Sequence, residues 1–63
     1  MITYPFYKTG AYQCASFAEA NMLALSLLTL RGSSITVDEK LDAMTPFHTL
    51  KRYTMTDFGI KSI

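Results

Sequence analysis

A chain of 63 residues allows one domain and no second core, and at this size only about 60% of the surface exposed on unfolding is hidden, so stability is marginal. A formal net charge of +1 excludes a global attraction to nucleic acid, so any basic patch must be local. With 49% of residues hydrophobic and 17% charged, the balance is apolar for so small a body and points to a homodimer or a partner-covered surface.

Small domains usually compensate with disulfides, a structural metal or oligomerisation. Cys14 is the lone cysteine, so no internal disulfide can form, and a reducing, cytoplasmic setting is expected. Zinc would need four ligands, and Cys14 and His48 are the only soft or imidazole candidates, so no metal and no cofactor are expected. The start Met1-Ile2-Thr3-Tyr4-Pro5 has no basic region followed by an apolar stretch, and Lys61-Ser62-Ile63 is no prenylation box. Neither a secretory signal nor a lipid anchor is expected.

The first part, residues 1–15, reads as extended. Ile2, Tyr4 and Phe6 alternate with Thr3 and Tyr7, while Pro5 suits an edge strand. Lys8-Thr9-Gly10 marks a turn, and Ala11 to Ala15 returns as a second strand with Tyr12 and Cys14 on one face, or else the segment is a single extended arm.

Ser16-Phe17-Ala18-Glu19 is a capping box that starts a helix. Strong helix formers follow to Leu30, and Arg31-Gly32 supplies a cation for the dipole and a C-terminal glycine, so a long core helix is predicted over 16–31. Glu19, Ser26 and Thr29 occupy one narrow stripe, leaving an apolar arc wider than one packing face requires. Part of that arc (Phe17, Leu23, Leu27 and Leu30) is a candidate partner interface; burial of the helix on several sides within one domain is the simpler reading. About 16 residues at 1.5 Å each reach roughly 24 Å, too short and too polar for a membrane span.

Thr36-Val37-Asp38-Glu39 has the form of a second capping box and predicts a short helix from Val37 to Met44. Thr45-Pro46 places an N-cap threonine before a first-turn proline, predicting another helix to about Met55 with Phe47 and Leu50 inward. Ile60 to Ile63 is read as a final strand, at 59–63, that pairs with the N-terminal one.

Two short helices after a longer supporting one would form a helix-turn-helix over 36–56. The residues Leu27 to Thr36, followed by Glu39, Leu41, Leu50-Lys51-Arg52 and Gly59-Ile60, resemble small winged-helix regulators of the kind encoded by bacteriophages. The resemblance implies an α+β winged-helix-like domain, a dimeric transcriptional regulator of duplex DNA, in the host cytoplasm if phage-encoded. It puts Pro46 to Met55 in the recognition-helix position. Thr45, His48, Thr49, Lys51, Arg52 and Lys61 are then the candidate DNA contacts: arginine suits guanine, threonine a thymine methyl or a phosphate, and the lysines phosphates. The acidic Asp38, Glu39 and Asp42 depart from that pattern.

A plainly solvated face is the simpler account of His48, Lys51 and Arg52. The alternative function is a protein-interaction module, an inhibitor or accessory subunit, that docks through the apolar helix. Catalysis is not expected: Cys14 and His48 lie on different predicted elements with no third group to orient them, and Gly10, Gly32 and Gly59 are too isolated to form a phosphate loop.

Overall fold

In the computed structural model, which describes residues 3–63, one helix lies against a five-stranded antiparallel sheet. The strands are β1 (Phe6–Thr9), β2 (Tyr12–Cys14), β3 (Ser34–Lys40), β4 (His48–Thr56) and β5 (Gly59–Ser62), and the helix is α1 (Phe17–Leu27). Their order across the sheet is β2-β1-β3-β4-β5. Ile2, assigned above to the first strand, lies outside the described residues.

The hairpin β1–β2 closes on the pair Thr9↔Tyr12 around Gly10 and Ala11. Gly10 has φ +58° and no non-glycine residue has positive φ, which makes the turn type II′, whose twist matches the flanking strands. A Cβ at Gly10 would meet only ordinary contacts, Leu27 Cδ1 at 3.8 Å and Ile35 Cδ1 at 3.9 Å. Glycine is therefore required by the backbone and not by space.

Ser16 caps α1, its hydroxyl oxygen accepting from the Glu19 N–H at 3.2 Å. The helix ends at Leu27, short of the predicted Arg31, because the chain must reach the sheet. Gly32 donates to the Met55 carbonyl at 2.9 Å and Met55 donates to Ser33 at 3.0 Å. Arg31 pairs with Asp57 at 3.2 Å in solvent, and it serves no helix terminus.

The predicted helix-turn-helix is absent, and with it the winged-helix architecture: among the described residues α1 is the only helix. Val37–Met44 is instead the second half of β3 and a loop, and the proposed recognition helix Pro46–Met55 is mostly β4. The physical reason is a period of two. Ile35, Val37 and Glu39 share the α1 side with Tyr53, Lys51 and His48, whereas Thr36 and Asp38 share the opposite side with Arg52 and Thr49. Ile35, Thr36 and Val37 on one strand and Thr49, Tyr53 and Thr54 on the other suit that pleated surface better than a helix. The apparent capping box at Thr36 is spent otherwise, with its hydroxyl donating to Asp38 Oδ2 at 3.3 Å. The apparent N-cap at Thr45 is likewise a turn, in which Met44 and Thr45 donate their N–H groups to Asp42 Oδ1 at 2.9 and 2.8 Å. The last strand pairs with β4, not with the N-terminal strand.

Helix α1 packs on β1, β2 and β3. Ala20 and Ala24 are fully buried, and their small side chains bring the helix close to Val37, Cys14 and Tyr53, with Leu28 at the helix C-cap completing the core. Tyr7, Phe17, Leu23, Ile35 and Met55 ring this core. Full burial of a side chain such as Val37 contributes about 1.5–3 kcal/mol, a large share of the roughly 3–9 kcal/mol expected for a domain of this length. Hairpin β4–β5 runs on beyond the helix, which accounts for principal extents of 39 × 17 × 16 Å.

Candidate functional site

The sheet face turned away from α1 carries the densest grouping of cationic and aromatic side chains. Strand alternation puts Phe6 and Lys8 on this face, because Tyr7 packs edge-on against Phe17 of the helix at 6.3 Å. Register then adds Lys40 beside Phe6, Asp38 beside Lys8 and Thr49, Thr36 beside Arg52, and Ser34 beside Thr54. Lys61 joins across from Thr54. Lys8, Lys40, Arg52 and Lys61 thus meet, among the strand residues of this face, the carboxylate of Asp38 alone. That carboxylate is engaged, accepting from Thr49 at 2.7 Å and Thr36 at 3.3 Å.

At one end of this face lies an aromatic cluster. Phe6 is only 7% exposed although it sits outside the helix-side core. Tyr4 covers it at 5.4 Å between centroids, and Phe47 meets it edge-on at 5.8 Å with an interplanar angle of 83°. Phe47 itself keeps 44% exposure. Lys8 Nζ lies 5.5 Å and Lys40 Nζ 5.2 Å from the Phe47 centroid, within cation–π range. Lys40 also donates to the Thr45 carbonyl at 2.6 Å, which fixes its long side chain.

The residues proposed from the sequence are divided by the sheet. Thr49, Arg52 and Lys61 lie on the open face, whereas His48 and Lys51 pair with Glu39 and Val37 and lie on the α1 side. Thr45 is in the β3–β4 connection, where its backbone serves Lys40 and Asp42. Of the apolar helix set, Phe17 and Leu23 pack on the core, Leu27 is partly exposed, and Leu30 lies past the end of α1 at 72% exposure. Lys8, Lys40, Phe6 and Phe47 were missed. The alternation of Phe6 and Lys8 about Tyr7 was the available signal, and it becomes informative only once β1 has a neighbour on each side.

Three groups are shifted from their ordinary titration. Hydrogen bonding from Thr45 and Met44, assisted by the Lys40 charge, holds the Asp42 carboxyl below the usual range. Hydrogen bonding to the Glu39 carboxylate, followed by burial, raises the Tyr7 phenol. Burial and the nearby Glu19 raise the Cys14 thiol, which makes it a poor nucleophile at neutral pH.

Among the described residues no group of three or more histidine, cysteine or carboxylate side chains is placed to hold a metal, and no helix is long and apolar enough to cross a membrane. Comparisons with protein-family models, curated proteins and solved structures find no match.

Proposed function

We propose that this protein is a non-catalytic binding module whose open sheet face takes a polyanionic chain. The observation that carries the reading is the sorting of charge. The chain as a whole is nearly neutral, yet Lys8, Lys40, Arg52 and Lys61 share one face with a carboxylate already occupied by two hydroxyls. Such a stripe attracts phosphate or sulfate groups locally where net charge does not. The lone buried thiol of Cys14 fits a cytoplasmic setting for this role.

Fluorescence anisotropy with a labelled twelve-residue oligothymidylate and with inorganic polyphosphate, each at several salt concentrations, tests the proposal. Three to four contacts predict a log–log slope of about −2 to −3 for a flexible single strand. The double substitution Lys8→Glu and Arg52→Glu should abolish binding, while Lys51→Glu on the other side should leave most of it. Absence of binding at low salt, or equal sensitivity to Lys51→Glu, would overturn the reading.

A further inference from the structure

We infer that the chain bound on this face is single-stranded nucleic acid, with the Phe47 ring as the platform for one base and Lys8 and Lys40 as the partners of the adjoining phosphates. This rests on the polyanion reading and adds to it a requirement for a base.

Charge alone would not call for an aromatic ring between Lys8 and Lys40. Here the ring is built in. Phe47 stands edge-on against Phe6 at 5.8 Å, and Phe6, under Tyr4, is anchored at 7% exposure. Phe47 is therefore held in place by packing, yet the residue remains 44% exposed. A base arriving on it exchanges a cation–π contact for a stacked one, and the ammonium it displaces stays tethered within reach of the phosphate on either side of that base. Lys40 is already oriented for this by the Thr45 carbonyl at 2.6 Å. Sulfated glycans and polyphosphate have no π-face to offer the ring, whereas every nucleobase has one, which makes stacking tolerant of sequence.

Shape selects single strands over duplex. At the end that carries Phe47 the sheet is four strands wide, as in the row Tyr12, Thr9, Val37 and Lys51; at about 4.8 Å per strand spacing that is about 14 Å between the outer strands, too wide to enter a major groove of about 12 Å. A duplex laid on the face would present phosphates but keep its bases stacked on one another, out of reach of Phe47. An unpaired strand can splay a base onto the ring while its backbone crosses Arg52 and Lys61.

The decisive comparison uses the unaltered protein with oligothymidylate, oligouridylate and an abasic oligomer of one length and similar charge, and with a duplex half as long, whose two strands together carry a similar number of phosphates. We expect either unpaired pyrimidine strand to bind at least about fivefold more tightly than the abasic strand, with the preferred one telling DNA from RNA, and the duplex to bind more weakly than both. Phe47→Leu should erase the difference between base-bearing and abasic strands, and Phe47→Trp should restore it, with circular dichroism confirming the fold of each. If the abasic strand binds as well as the others, or the duplex binds best, this inference fails while the polyanion reading stands. If no probe binds, both fall.

Discussion

The Tyr53 hydroxyl donates to the Asn21 side-chain oxygen at 2.5 Å, joining the middle of β4 to the middle of α1. The Tyr53 ring is buried in the core while its polar tip finds a partner on the helix, the usual requirement for burying a tyrosine. Because α1 packs chiefly on β1, β2 and β3, this bond is a main tie between the helix and the outer hairpin. Tyr53→Phe keeps the ring and should cost about 1 kcal/mol, or roughly 4–8 °C in Tm for a domain of this size. A double-mutant cycle with Asn21→Ala should give a coupling of about 0.5–1.5 kcal/mol, and additive effects would show that the bond contributes nothing.

Thr9 presents the opposite case. Its side chain is fully buried and its hydroxyl oxygen has no hydrogen-bond partner. Thr9→Val replaces that hydroxyl by a methyl of similar shape, and thermal unfolding should show a gain of about 1 kcal/mol. A loss of stability would mean that the hydroxyl is satisfied in solution.

Strand β5 forms one edge of the sheet. Ile63 donates to the Arg52 carbonyl at 2.9 Å, so by antiparallel alternation Lys61 and Gly59 also turn their backbone groups toward β4, and Ile60 and Ser62 turn theirs outward. Two such edges centred on Lys61 would set like charges opposite each other, which opposes self-pairing. Lys61→Ile should therefore increase self-association over the unaltered chain at equal concentration in sedimentation velocity. Unchanged sedimentation would show that the lysine is not what guards the edge.

Asp42 links the β3–β4 connection to pH. Its folded-state titration lies below the ordinary carboxylate range because the ionised form accepts hydrogen bonds from Thr45 and Met44. A depressed folded value means that the contribution is present at neutral pH and is lost as pH falls through that value. The Met44 and Thr45 amide resonances should follow the Asp42 carboxyl in one titration below about pH 4, and Asp42→Ala should remove it. Amides that move instead in step with another carboxylate would refute the assignment.

The legible parts of the sequence were those decided by near neighbours. Ser16 and Glu19 fixed the start of α1 with a bond across three residues, and Gly10 marked a turn that only a glycine enters freely. The stretch from Thr36 to Met55 misled because two local motifs imitate helix caps. Its strands are stabilised by distant partners, with Val37 set between Thr9 and Lys51 and Ile35 opposite Tyr53. The same error scattered the proposed contact set. A helical wheel groups His48, Lys51 and Arg52, but a strand sends Arg52 to the face opposite the other two.

Strand β1 belongs to both sides of the molecule. Phe6 and Lys8 build the aromatic and basic surface, while Tyr7 and Thr9, between and beside them, are set toward the helix. Neither side can loosen along these residues without disturbing the other. A ligand held on the outer surface would consequently protect inner amides that it never touches, so that occupancy would register as slowed hydrogen exchange beneath α1.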